Sequence, residues 1–204
     1  MKIFEDCTIY GVSDTGFNHI EYLGELLSSG IDVIQLRDKD LSDREFYSIA
    51  IVLKEMAADF EKPFIINDRL DIALLVDVDG IHVGVDDLPL KEVRSILGED
   101  KILGYSCHSY QDVLDVKDVD LDYISVGPVF KSNTKKNLET IGEDEIKLIT
   151  DNIKLKQVAI GGIDLNNISM VRDYGFSNVA VISSLNISKD KKMYIDEIRK
   201  AVTK

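Results

Sequence analysis

The sequence predicts an α/β chain folded as a single (β/α)8 TIM barrel. Eight short β-branched apolar runs, each followed by a stretch of helical period, carry that prediction. Length agrees, because 204 residues divide into eight strand-plus-helix units of roughly 25 residues each. The runs are apolar on both faces, as strands buried in a parallel sheet must be. A doubly wound open sheet is the competing arrangement. The segment after the first run reads Gly11, Val12, Ser13, Asp14, Thr15, Gly16, so the G-x-G-x-x-G turn of a dinucleotide site is missing.

Taken in order, the first strand is predicted over Thr8 to Val12 and its helix over Asn18 to Ser28. Val33 to Leu36 precedes a helix over Asp43 to Asp59, with Ser42 or Asp43 placed to cap it. Phe64 to Ile66 follows Pro63 and leads into Arg69 to Val76; Gly80 to Val83 leads into Leu90 to Leu97, with Pro89 at the helix start. Ile102 to Tyr105 pairs with Tyr110 to Lys117, and Tyr123 to Val126 with Glu143 to Asp151. Gln157 to Ile160 precedes Leu165 to Tyr174, with Asp164 as the expected cap, and Val179 to Ile182 is followed by a closing helix over Lys192 to Val202. Pro63, Pro89 and Pro128 all sit beside predicted elements, and no repeat, low-complexity tract or linker interrupts the pattern, so residues 1–204 read as one catalytic domain.

Composition removes several function classes. With 45% hydrophobic and 30% charged residues the chain can bury a core without a disulfide or structural metal, unlike a disordered tail or a stapled mini-protein. Its 24 Lys and Arg against 37 Asp and Glu leave a formal net charge of −13, which argues against nucleic acid or anionic lipid as partner. Any anionic ligand must therefore find a local positive pocket. Cys7 and Cys107 lie in or beside apolar runs and read as buried reduced thiols. The first ten residues contain Lys2, Glu5 and Asp6 and no long apolar region, and no apolar run reaches the roughly 18 residues of a membrane span. The expectation is a cytoplasmic protein with no targeting segment and no membrane partner; homo-oligomerisation is left open.

In a barrel the chemistry gathers where strands run into their βα loops. Those positions carry Gln35, Arg37 and Lys39 after strand 2, Asn67 and Asp68 after strand 3, and Asp86 and Asp87 after strand 4. Ser106 and His108 follow strand 5; Gly127, Pro128 and then Ser132, Asn133, Thr134, Lys135 and Lys136 follow strand 6. Gly161 and Gly162 follow strand 7, and Ser183 and Ser184 follow strand 8. Singly, each has a plain structural reading: a solvated loop pair for Arg37 and Lys39, a helix cap for Asn67 and Asp68, a turn for Asp86 and Asp87 or for the two glycines. His82 reads as a satisfied core or rim histidine and His19 as a surface residue.

Together they converge on one rim. Asp68 and Asp87, from adjacent strands, can hold Mg2+, a hard ion that takes one or two carboxylates, waters and polyphosphate oxygens. Arg37, Lys39 and Lys135 would surround the same polyphosphate with charge-assisted hydrogen bonds. The glycines after strand 7 and serines after strand 8 offer backbone N–H groups where barrels frequently bind a monophosphate. Such a rim accepts two phosphorylated molecules, which suggests a transferase that joins them with loss of diphosphate.

These residues fall into blocks that together resemble the thiamine-phosphate synthase (thiamine-phosphate pyrophosphorylase) family. The blocks run in order: Gln35-Leu36-Arg37-Asp38-Lys39; Ile66-Asn67-Asp68-Arg69; Asp79-Gly80-Ile81-His82-Val83-Gly84 with Asp87-Leu88-Pro89; Gly127-Pro128-Val129-Phe130 with Thr134-Lys135-Lys136; Ile160-Gly161-Gly162-Ile163; and Val179-Ala180-Val181-Ile182-Ser183. The resemblance implies condensation of 4-amino-2-methyl-5-(diphosphooxymethyl)pyrimidine with a thiazole phosphate, giving thiamine phosphate and diphosphate. It implies that Gln35, Leu36, Arg37, Asp38, Lys39, Asn67, Ser106 and Lys135 bind the pyrimidine diphosphate, with Arg37, Lys39 and Lys135 catalytic. Asp68 and Asp87 would bind Mg2+, while Ser132, Asn133, Thr134, Gly162, Ile182 and Ser183 would hold the thiazole phosphate.

The chain departs from the family pattern at Val85, commonly Gln, at Lys131-Ser132, commonly Pro-Thr, and at Asn137, commonly Asp. The related thiazole tautomerases share the barrel and use a histidine matching His108 in acid–base chemistry, which makes them the alternative reading. The Gln-x-Arg-x-Lys block together with both aspartates favours the synthase, since a tautomerase needs neither diphosphate nor metal.

Overall fold

The structure, a computed structural model, describes residues 8–131 and 139–203. Eight strands, β1 (Ile9–Val12), β2 (Val33–Leu36), β3 (Phe64–Asn67), β4 (Gly80–Val83), β5 (Ile102–Cys107), β6 (Tyr123–Val126), β7 (Lys156–Ile160) and β8 (Asn178–Val181), close into a parallel barrel in sequence order. The surrounding helices are α1 (His19–Ser28), α2 (Asp43–Asp59), α3 (Leu70–Val76), α4 (Leu90–Leu97), α5 (Tyr110–Asp115), α6 (Glu143–Asn152), α7 (Ile168–Asp173), α8 (Ser183–Ile187) and α9 (Lys191–Thr203). This is the (β/α)8 TIM barrel that the sequence predicts.

Alternation along each strand divides the apolar residues into two clusters. Tyr10, Val12, Val33, Ile65, Ile102, Tyr123, Val158 and Ala180 fill the barrel interior. The residues between them, among them Ile9, Ile34, Leu36, Ile66, Ile81, Leu103 and Ile124, pack outward under the helices in one continuous core. Tyr123 lies over Gly104, where an added Cβ would sit 2.2 Å from the phenol ring. The bulky interior side chain thus requires a glycine on the neighbouring strand.

The N-terminal ends of the strands are fastened by side chains that accept backbone N–H groups. Asp32 accepts from Ile9 at 2.8 Å, Asp79 from Phe64 at 2.8 Å and Asp122 from Leu103 at 2.7 Å. Asn178 closes the ring by accepting the Thr8 N–H at 3.0 Å and donating to the Gln157 carbonyl at 3.1 Å. Each residue satisfies a donor at the barrel's end that has no ladder partner.

Several local expectations are corrected. Ser42 caps α2 through a full capping box with Glu45, but Asp164 does not cap α7. It heads a turn, its carboxylate accepting the Asn166 N–H at 2.8 Å, and α7 starts only after Asn167. The two-residue extension of β5 beyond Tyr105 makes Ser106 a strand residue rather than a loop residue. A short helix, α8, precedes the closing one. His19 is buried, at 4% exposure, because its Nε2 lies 3.0 Å from Asp38 Oδ2 across the β1 and β2 loops. Cys107 is buried and free; Cys7 lies outside the described residues. Among the described residues no helix is long and apolar enough to cross a membrane.

Candidate active site

At the C-terminal mouth of the barrel lies a cavity of about 710 Å3, its open mouth included. Its walls include Gln35 and Arg37 from β2 and its loop, Asn67 at the end of β3, His82 on β4, and Ser106 and His108 from β5 and its loop. Strand alternation explains which members of the first block reach it. Gln35 and Arg37 point inward. Leu36 is fully buried in the outer core, and Asp38 turns away to accept from the backbone N–H groups of Asp40, at 2.8 Å, and Leu41, at 3.2 Å, and from Thr15 Oγ1 at 3.2 Å. The side chains of Leu36 and Asp38 therefore do not line the cavity.

The cations of the rim are held by carboxylates. Arg37 Nη1 is paired with Asp14 of the β1 loop, and Lys39 Nζ lies 3.4 Å from Asp68 Oδ2. Asp68 occupies the left-handed backbone region, with φ +60°, which Asp tolerates better than most residues. Burial pushes its carboxyl up to about 6, and the neighbouring Asp87 adds to that rise while Lys39 opposes it. Asp87 is fixed by the Gly84 N–H, which donates to its Oδ2 at 2.7 Å. Asp68 and Asp87 are thus brought together, and no cluster of three or more His, Cys, Asp or Glu side chains occurs among the described residues.

Beneath the cavity runs a chain of buried hydrogen bonds. Gln35 Nε2 donates to the Tyr10 hydroxyl at 2.8 Å, the Tyr10 and Tyr123 hydroxyls are 3.0 Å apart, and Tyr123 lies 2.9 Å from His82 Nδ1. His82 Nε2 is 2.9 Å from Ser106 Oγ. Burial raises the ionisation of both phenols well above the ordinary tyrosine range, so each keeps its proton. On the same wall His108 Nδ1 bonds the Gly127 carbonyl. A carbonyl only accepts, so Nδ1 carries the proton and Nε2 is left as an acceptor.

A second hollow of about 680 Å3, its mouth included, adjoins the first and shares Gly161, Ala180 and Ile182 with it. Gly162, Ser183, Ser184 and Lys131 also line it. Gly161 and Gly162 have φ +100° and +64°, and a Cβ on Gly162 would lie 2.5 Å from the Lys131 carbonyl oxygen. The strand 6 loop therefore packs directly on the glycine pair, so this turn requires glycine. Ser184 Oγ donates to the Ile163 carbonyl at 2.8 Å, which ties the β8 loop to the β7 loop.

The structure thus gathers Gln35, Arg37, Asn67 and Ser106 at one cavity, with Gly162, Ile182 and Ser183 beside it. Ser132, Asn133, Thr134 and Lys135 lie outside the described residues, as does Asn137. Sequence reasoning missed Asp14 as the partner of Arg37, and Tyr10, Tyr123 and Ser125 as cavity residues. An interior Tyr on an apolar strand carries no signal that separates a polar wall from core.

Fold and mouth together define a TIM-barrel enzyme with two adjoining ligand hollows at the C-terminal face. A family model for thiamine monophosphate synthase matches residues 9–185. A thiamine-phosphate synthase of Desulfitobacterium hafniense is 46% identical over 165 residues, covering 80% of each chain. One of Clostridium tetani is 40% identical over 197 residues, 95% of this chain and 94% of that one. The solved thiamine phosphate pyrophosphorylase of Pyrococcus furiosus superposes with TM-score 0.85 at 31% identity, covering 97% of this chain and 96% of that one. The chain belongs to the thiamine monophosphate synthase family, and it is a transferase of thiamine biosynthesis.

Proposed function

We propose that the chain condenses 4-amino-2-methyl-5-(diphosphooxymethyl)pyrimidine with a thiazole phosphate by a dissociative substitution at the barrel mouth. The observation that carries this reading is the pair of adjoining hollows, one walled by Gln35, Arg37, Asn67 and Ser106 and the other by the β7 and β8 turns. The first takes the pyrimidine diphosphate and the second the thiazole phosphate, through Gly162, Ile182 and Ser183 and the loop residues Ser132, Asn133 and Thr134.

Arg37, Lys39 and Lys135 stabilise the charge that grows on the departing diphosphate. Preorganised cations aimed at developing charge act more strongly in the transition state than in the ground state. The electron-rich aminopyrimidine tolerates the developing methylene cation, so departure runs ahead of attack, and the thiazole nitrogen then captures the cation. No protein base or covalent nucleophile is required.

Asp68 and Asp87 fit Mg2+. Two carboxylates lie so close that one resists ionisation, and such a pair is relieved by a hard cation whose remaining ligands are water and phosphate oxygens. Asp68 and Asp87 would hold the ion, which would supply positive charge against the leaving diphosphate. A cytoplasmic location and a single catalytic domain complete the reading, both resting on the sequence.

A second reading, thiazole isomerisation, draws on His108, whose Nε2 is left as an acceptor on the cavity wall. One experiment separates the two. Diphosphate should be released from the two substrates together and from neither alone, and His108→Gln should keep a substantial part of that activity. Thiazole isomerisation by the native protein, abolished in His108→Gln, with no diphosphate release, would replace the synthase reading.

A further inference from the structure

We propose that His19 is a positioning residue that, through Asp38, holds the loop after β2 so that Arg37 and Lys39 face one diphosphate. The inference rests on the reading of those two cations as diphosphate contacts given above.

His19 stands where the helix calls for an apolar residue. With Tyr22, Leu23, Leu26 and Leu27 it forms the buried face of α1, the helical stripe that packs on the barrel. A polar ring on that face costs free energy unless it is hydrogen-bonded, and its Nε2 lies 3.0 Å from Asp38 Oδ2, with both side chains 4% exposed. The acceptor fixes the direction of this bond. Burial would raise the Asp38 carboxyl, but the Asp40 N–H, His19 and Thr15 outweigh it and hold it below the ordinary carboxylate range, so at neutral pH it is ionised and only accepts. Nε2 therefore carries a proton and donates, in the neutral ring as in the charged one.

What Asp38 holds is the turn that carries Lys39. Its other oxygen, Oδ1, accepts the N–H groups of Asp40 at 2.8 Å and Leu41 at 3.2 Å, which bends the backbone around Lys39, and it accepts Thr15 Oγ1 at 3.2 Å. On the strand side the Arg37 N–H donates to Ser13 Oγ at 3.1 Å, and the Arg37 side chain pairs with Asp14. The β1 and β2 loops are thus braced at two levels, at Ser13 beside the strands and at His19 where α1 begins, with Asp14 in the span between. Asp40, Leu41 and Thr15 are loop residues, whereas His19 belongs to a helix seated in the core, so it ties the turn to rigid structure. Loss of that tie frees the segment between the two cations, and a misplacement of about 1 Å in a positioning element can cost on the order of 10²-fold.

The test is calorimetric titration with inorganic diphosphate in Mg2+ buffer, which reads the two cations without any turnover. His19→Leu keeps the apolar face and removes the donor, and should weaken diphosphate binding by about fivefold or more. His19→Gln sets an amide Nε2 near the place of the imidazole Nε2, and should bind within about twofold of native because the donor to Asp38 is restored. Urea denaturation of each variant reports stability separately. Native-like diphosphate binding by His19→Leu, whatever its urea midpoint, would make the His19–Asp38 bond purely structural and overturn the proposal while the diphosphate reading stood. A loss in His19→Gln equal to that in His19→Leu would assign the effect to ring packing and overturn it as well. If the native protein binds no diphosphate, the reading of Arg37 and Lys39 falls and the proposal with it. Should His19→Leu not fold, Thr15→Val decides instead. It removes a second donor to the same carboxylate at an exposed position and should weaken binding by about twofold or more; an unchanged affinity overturns the proposal.

Discussion

Arg37 and Asp38 are consecutive in the loop after β2, yet only Arg37 lines the cavity. Arg37 is held by Asp14 at the cavity, so a diphosphate entering there exchanges one anionic partner for another and does not have to neutralise a bare cation. The planar fork that meets a carboxylate also meets a phosphate. Arg37→Ala should therefore lower kcat for diphosphate release by on the order of 10²-fold, and Arg37→Lys should recover little of the loss; steady-state kinetics with both substrates saturating decides this. Asp38 serves structure instead. Burial alone would raise its carboxyl, but the Asp40 N–H, His19 and Thr15 hold it below the ordinary carboxylate range. A folded-state value lower than the unfolded one stabilises the fold above the unfolded value and is lost as pH falls through the folded one. Asp38→Asn should therefore be less stable than native at neutral pH, with the gap closing below about pH 4; urea unfolding at pH 7 and pH 3.5 measures it. Gln35, Arg37, Asn67 and Ser106 all line the cavity, where the sequence expects a rim, because period-two alternation and the strand ends fix where such side chains point. The sequence misplaced His19 at the surface, since a lone polar residue opening a helix gives no sign of a partner that is distant in sequence.

At the scale of the element, length decides what can be read. The eight strands and the long helices were legible because a run of apolar residues at one period identifies the face it buries. Helix α8, with five residues, spans too little of a turn pattern to show a period, and the turn at Asp164 mimics a cap because Asp fills both roles. The strand starts also escaped notice. Asp32, Asp79 and Asp122 each precede an even-numbered strand, but an acidic residue in a loop reads as solvated until its acceptor role is seen. Asp79→Ala would leave the Phe64 N–H, donated at 2.8 Å, without its partner at a half-buried position. Loss of such an acceptor costs about 1–3 kcal/mol. Urea denaturation should show that loss, with kcat and KM unchanged because Asp79 lies at the opposite end of the barrel from the cavity.

Across the whole molecule, the proposed reaction asks an acidic protein to bind two anionic substrates. The net charge of −13 opposes their approach, and the local cations Arg37 and Lys39 already face carboxylates. The balance at the mouth therefore turns on whether Asp68 and Asp87 carry a metal: without one they repel the diphosphate, and with one they attract it. Binding to the folded chain alone raises stability by RT ln(1 + [L]/Kd), about 2.7 kcal/mol at one hundred times Kd. For a chain of this length that corresponds to a rise in Tm of roughly 5–11 °C. The pyrimidine diphosphate should produce this rise in the presence of Mg2+, and EDTA should abolish most of it. In Asp68→Ala the rise should be small with or without the metal, and the unliganded Tm should itself fall somewhat, because Ala tolerates the positive φ of this position less well than Asp does. To separate that backbone term from the charge term, Asp68→Asn, which suits the same backbone region, should show the same loss of ligand response as Asp68→Ala. A full Tm rise in EDTA, or in Asp68→Asn, would remove the metal from the diphosphate site.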